Sequence, residues 1–208
     1  ADPWETERLW QDMFRSGYWP ADLVYCCAMS AIDIALWDIK GKSVNMPTYQ
    51  LLGGPVRDKV VCYPHIQGTS KEQIVDNCII AVDEGWKFVR WGQPDAWGPF
   101  EPGGKKGLEP AKARHLAVDL MAEVRDAVGP EIELCFDVHT QLEVPQVVRM
   151  SRAMEEFEPY FIEDPVRSEN QSSYRNLRRQ VNLPIHARLE PCRKVFTKAD
   201  FFAIADFF

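Results

Sequence analysis

The sequence predicts an α/β protein built on a parallel sheet, and three observations carry that reading. Short apolar runs alternate with helix-period segments from Val60 onward. The alternation repeats at about 30 residues, close to the roughly 31 per unit of a (β/α)8 barrel. Charged residues fall at the ends of successive apolar runs, at Arg90, Asp137 and Glu163. Strands alternating with helices make right-handed βαβ units, hence parallel pairing. A complete (β/α)8 barrel takes about 250 residues, so residues 60–208 hold about five of its units or a complete doubly wound sheet. Periodicity alone does not choose between these.

The elements follow in order. Residues 1–20 are rich in aromatics (Trp4, Trp10, Phe14, Tyr18, Trp19) interspersed with charge. A helix is expected over 21–42, where Ile32, Ala35, Leu36 and Ile39 recur on one apolar face. Gly41 and Pro47 end it, and a short apolar element, 49–52, closes at Gly53-Gly54-Pro55. Strands are then expected at 60–63, 86–91, 132–139, 160–163 and 184–187, and helices at 71–84, 110–128, 144–157 and 172–180. Ser70 serves as an N-cap and Gly85 as a stop for the first of these helices. Pro110 opens the next and Gly129 ends it. A Gly/Pro-rich loop fills 92–107, a further helix is expected over 198–204, and residues 205–208 read as the start of a sixth strand.

Composition bounds the function. The 208 residues are 46% apolar and 26% charged, an ordinary globular balance. A net charge of −7 argues against nucleic acid as a partner, because no basic excess neutralises phosphates. No apolar run approaches the roughly 18 residues of a membrane helix, and Ala1-Asp2-Pro3-Trp4-Glu5 shows no signal peptide. Six cysteines, with no CxxC pair, exclude a zinc ribbon and read as reduced thiols of a cytoplasmic protein.

The strand ends carry the chemistry. Asp137 and His139 end one strand, and side chains at i and i+2 share a face. Glu163-Asp164-Pro165 ends the next, with one carboxylate inward and the other outward. Strand ends of a parallel barrel converge on one rim, where the active site lies. Two carboxylates at close range stay ionised only with a cation between them, and oxygen donors favour Mg²⁺. His139 beside such an ion is a candidate acid or base. Taken singly, a strand-end carboxylate is as easily an ordinary helix cap.

Ala31-Ile32-Asp33-Ile34-Ala35-Leu36-Trp37-Asp38-Ile39-Lys40-Gly41-Lys42, with Met46-Pro47 and Leu51-Leu52-Gly53-Gly54, resembles the capping-domain helix and linker of the enolase superfamily, in its mandelate racemase / muconate lactonizing enzyme branch. Cys135-Phe136-Asp137-Val138-His139 and Phe161-Ile162-Glu163-Asp164-Pro165 resemble the strands bearing that family's first and second metal ligands. The resemblance implies a partial (β/α)8 barrel over 57–208, preceded over 1–56 by the later part of an α+β capping domain. Asp-x-His at the first ligand is similar to sugar-acid dehydratases of the mannonate and galactonate kind. It implies an Mg²⁺-dependent enzyme that removes the proton α to a carboxylate and expels the 3-hydroxyl, His139 supplying the proton. The product would be a 2-keto-3-deoxy acid, the partner a small sugar acid, and the assembly a homo-oligomer. Where the racemase has Lys-x-Lys, this chain has Arg90-Trp91-Gly92. Arg90 is therefore expected to bind a substrate carboxylate or hydroxyl rather than act as base.

The chain departs from the pattern in places. The third metal ligand should follow the fifth strand; Glu190 is the only carboxylate near, one residue late and without the preceding Gly. No tyrosine in 92–107 supplies the base, and the chain has no seventh strand to carry a basic histidine. His186 reads as a packed strand residue, His115 as structural or exposed, and His65 and Trp91 as substrate contacts, with Trp97 a second candidate wall. Racemisation, epimerisation or cycloisomerisation on the same scaffold, or a non-catalytic relative, are the competing outcomes. Against the family, the chain starts inside the capping domain and stops near the sixth strand, so it is expected to be a fragment or the ordered part of a longer protein.

Overall fold

A computed structural model describes residues 2–18, 22–92, 110–167 and 171–187. The chain divides into two compact units, with the division after Val61. The expected loop over 92–107, apart from Gly92, and the expected helix over 198–204 and strand over 205–208 lie outside the described residues, as do Glu190, Trp97 and Cys192.

Among the described residues, the first unit contains three helices, α1 (Thr6–Ser16), α2 (Leu23–Ser43) and α3 (Thr48–Leu51). Asp22 caps α2 by accepting from the Tyr25 amide at 2.8 Å. Lys40 lies over the Trp4 and Trp37 rings, 5.8 and 5.0 Å from their centroids, and Trp10 stacks on Phe14 at 5.0 Å. The expected apolar face of α2 is only partly covered. Ile32 and Ile39 remain about half exposed, at 48% and 49%, and Leu36 half-buried.

The second unit alternates strands and helices: β1 (His65–Ile66), α4 (Lys71–Asp83), β2 (Phe88–Gly92), α5 (Pro110–Val128), β3 (Glu133–Asp137), α6 (Val144–Met154), β4 (Phe161–Glu163), α7 (Gln171–Arg178) and β5 (Ile185–His186). The five strands are parallel and lie in sequence order. A doubly wound sheet reverses its strand order at a switch point. No reversal occurs among the described strands, so the barrel-type arrangement is the one that forms.

Two expectations shift. The first strand forms at His65–Ile66, not 60–63; His65 pairs with Arg90, while Val60 and Val61 stay exposed. A pairing partner, not local apolar content, decides where the strand runs. The helix expected over 144–157 ends at Met154 and continues as a single 3-10 turn, Glu155–Phe157, which stops where Glu158 turns left-handed at φ 47°.

Strand alternation sorts the two faces. Val89, Trp91, Leu134, Phe136 and Ile162 pack into one core with Ile74 and Cys78 of α4, Leu120 and Val124 of α5, Met150 of α6 and Leu177 of α7. Fully burying a side chain the size of Phe136 stabilises by about 1.5–3 kcal/mol, so this face anchors the sheet. The intervening residues Arg90, Cys135, Asp137 and Glu163 face the other way.

Candidate active site

Arg90, Asp137 and Glu163 occupy adjacent strands. Register pairs Gly92 with Asp137 and Asp137 with Glu163, so the two carboxylates stand side by side at the strands' C-terminal ends. Arg90 lies between them. Its Nε donates to Glu163 Oε2 at 2.5 Å, and its Nη2 donates to Asp137 Oδ2. Asp137 is fully buried, and the Arg90 and Glu163 side chains are each 13% exposed.

His139 reaches the cluster by a route that strand alternation does not describe. β3 ends at Asp137, and His139 adopts a left-handed conformation at φ 52°. That turn brings its amide to Asp137 Oδ1 at 2.8 Å and its Nε2 to Asp137 Oδ2 at 2.6 Å. The ring remains 52% exposed, open to an incoming molecule. Gly92 leaves room for it: a Cβ there would lie 3.7 Å from His139 Cε1. Any longer side chain at 92 would press on the imidazole.

The electrostatics follow from burial and crowding. Burial pushes the Asp137 carboxyl up, and Glu163 adds to the rise; the His139 amide bond and the charges of Arg90 and His139 oppose it. Burial pulls the Arg90 guanidinium down, but its bond to Glu163 and the charges of both carboxylates leave it raised. His65 of β1 is held below its ordinary value, chiefly by burial and then by the Arg90 charge.

Several expected residues are placed differently. Trp91 is fully buried on the helix side of the sheet, stacked edge-on against Phe136 at 6.2 Å, so it does not wall the Arg90 face. Adjacent strand residues point to opposite faces, and a neighbour of Arg90 cannot share its pocket. His186 has its ring 5.1 Å from Phe161 and its Nδ1 3.9 Å from Glu163 Oε1. Tyr63 was not legible as a site residue. Its phenol packs edge-on to Phe161 at 6.0 Å, and burial followed by the Glu163 charge raises its pKa. The signal was its i−2 relation to His65, hidden by placing the strand at 60–63 rather than at His65–Ile66.

The donors present suit a hard cation in kind. Asp137 and Glu163 offer carboxylate oxygens from neighbouring strands, the set that Mg²⁺ prefers. Among the described residues no cluster of three or more His, Cys, Asp or Glu side chains is arranged to hold a metal. Glu190, the expected third ligand, lies outside them.

Comparison with known proteins gives this geometry a setting. Residues 1–53 match the mandelate racemase / muconate lactonizing enzyme N-terminal domain, and residues 79–195 match the enolase C-terminal domain-like family. A D-galactonate dehydratase family member of Streptomyces bingchenggensis (strain BCW-1) is 36% identical over 203 residues, covering 88% of this chain and 49% of that protein. RspA of Cellvibrio japonicus (strain Ueda107), named in the same way, is 35% identical over 200 residues, covering 88% and 50%. The chain thus spans about half the length of the curated relatives it matches. Among solved structures, an enolase from Pantoea ananatis with bound D-gluconate and Mg superposes with TM-score 0.79 at 28% identity, over 99% of this chain and 55% of that one. A member of the enolase superfamily from Salmonella Typhimurium gives 0.81 at 27%, over 100% and 56%.

Proposed function

Since the chain belongs to the enolase superfamily, in its mandelate racemase / muconate lactonizing enzyme branch, we infer that it forms the catalytic part of an Mg²⁺-dependent sugar-acid dehydratase. The observation that carries the reading is His139 bonded to Asp137 beside Glu163, an acid/base group set against two candidate metal carboxylates. Relatives named as D-galactonate dehydratase family members, and a gluconate- and Mg-bound neighbour, support it.

Asp137 and Glu163 would hold the ion, with Glu190 the expected third ligand. Bound there, Mg²⁺ would supply positive charge against a substrate carboxylate as its α-proton leaves, a step too unfavourable without such charge. The α-proton would pass to a base that is none of the residues named here, and the named groups serve the other steps. His139 is placed to give a proton to the departing 3-hydroxyl, its ring fixed by Asp137 and exposed on the other side. Arg90 would bind a carboxylate or hydroxyl of the substrate through charge-assisted hydrogen bonds. The enol left behind ketonises to a 2-keto-3-deoxy acid. His65, paired with Arg90 across β1 and β2, is proposed to contact the substrate. We further propose a cytoplasmic homo-oligomer; no helix among the described residues is long and apolar enough to cross a membrane.

The test is an assay of the full-length protein against a panel of aldonic acids, with Mg²⁺ and with EDTA. Keto-acid formation that needs the metal is expected for at least one acid. Absence of any metal-dependent product across the panel would count against the reading.

A further inference from the structure

Arg90 does more than sit near the two carboxylates: it occupies oxygens on both. One guanidinium against two carboxylates, one fully buried and one 13% exposed, leaves one negative charge in excess before His139, whose Nε2 lies 2.6 Å from Asp137 Oδ2, is counted. Buried charge without full compensation is unfavourable, so the cluster still attracts a cation. Adding a divalent ion would turn that excess into one positive charge, the sign an anionic sugar acid needs. The ion and the guanidinium cannot hold the same oxygens, however. The bonds from Arg90 end on one oxygen of each carboxylate, Asp137 Oδ2 and Glu163 Oε2.

We propose that Arg90 competes with the divalent cation for Asp137 and Glu163, so that metal binding displaces the guanidinium and frees it for the substrate carboxylate. This rests on the reading of Asp137 and Glu163 as metal ligands. Arg90 thereby sets metal affinity and couples it to substrate binding, because an arginine held by two carboxylates has no free fork to offer an anion. His139 stays bonded to Asp137 Oδ1 through its backbone amide, so the displacement leaves the Asp137 carboxylate in place.

The test titrates Mn²⁺, as a paramagnetic stand-in for Mg²⁺, into the full-length protein and reads free ion by electron paramagnetic resonance. Arg90→Met should bind Mn²⁺ about tenfold more tightly than the wild type, equivalent to about 1.4 kcal/mol. Arg90→Lys, which keeps the charge but loses the two-pronged fork, should fall between them. In EDTA, Arg90→Met should melt below the wild type and regain more on adding Mn²⁺. Wild-type or weaker affinity in the folded Met variant overturns the proposal; if that variant does not fold, wild-type affinity in Arg90→Lys overturns it. An Asp137→Asn/Glu163→Gln variant separates the two readings. Lost Mn²⁺ binding there, with unchanged binding in the Arg90 variants, removes the competition and leaves the metal site. Undiminished Mn²⁺ binding there removes the metal site, and the competition with it.

Discussion

His65 is one of two histidines on strands in the Arg90–Asp137–Glu163 neighbourhood, and its lowered pKa has a definite sign. Below its ordinary value of 6.5 the unfolded chain takes up a proton that the folded protein resists. Stability is therefore full above that value and declines as pH falls from the ordinary histidine range toward the lowered one. His65→Gln should flatten the fall in melting temperature between about pH 7 and pH 5 relative to the wild type. An unchanged pH profile would mean that neither desolvation nor the Arg90 charge holds this histidine down. The thiols give a second residue-scale outcome. Burial pushes Cys78 and Cys135 each up to about 12, so neither forms a reactive thiolate at neutral pH. Cys27 and Cys62 are exposed. Mass mapping after brief alkylation of native protein should find label on Cys27 and Cys62, and on Cys78 and Cys135 only after unfolding.

The sequence shows which residues end strands but not which side chains meet. Arg90, Asp137 and Glu163 are legible because a charge after an apolar run has few places to go in a parallel sheet. Trp91 is misleading because an aromatic beside a site arginine looks like a pocket wall, while strand alternation sends it to the opposite core. His139 arrives by a left-handed turn that no periodicity announces. The bridging of both carboxylates by Arg90 depends on side-chain reach across two neighbouring strands, which a one-dimensional pattern does not contain.

At the scale of elements, Arg125 is a tie that composition does not reveal. Its guanidinium donates to the carbonyls of Phe157, Gly129, Ile132 and Glu158, at 3.0, 2.8, 2.7 and 3.2 Å. These bonds join the end of α5 to the approach to β3 and to the turn before β4, the two strands that carry the carboxylates. The acceptors are backbone groups, so no residue type in the sequence marks them. Arg125→Ala leaves several half-buried carbonyls without partners and should lower stability by about 2–4 kcal/mol in urea unfolding. At the start of α4, Ser70 accepts from the Gln73 amide at 3.3 Å, a cap the sequence does announce. Ser70→Ala should cost about 1 kcal/mol by the same measurement.

For the molecule as a whole, alternating apolar runs and helical segments were enough to give the order of strands and helices in the second unit. The choice of a barrel segment over a doubly wound sheet came from strand order, which periodicity does not encode. The exposed apolar side chains of α2 show the converse, since a helical period specifies which face is apolar and not what covers it. Within the sheet, β2, β3 and β4 each have a strand on both sides, whereas β1 and β5 are paired on one side only among the described strands. Amide exchange should accordingly be slowest at Val89, Leu134 and Ile162 and faster at Ile66 and Ile185. The proposed chemistry would lie at the C-terminal ends of those slow strands, with His139 as its exposed acid/base group.

We propose that His139 delivers the proton that lets the 3-hydroxyl leave, at a metal held by Asp137 and Glu163. The most direct measurement follows α-hydrogen exchange in D₂O and keto-acid formation together, for full-length wild type and His139→Asn with an accepted sugar acid and Mg²⁺. The variant should still exchange the α-hydrogen while keto-acid formation falls at least about 100-fold, as expected for loss of a general acid. Keto-acid formation at the wild-type rate in His139→Asn would contradict it.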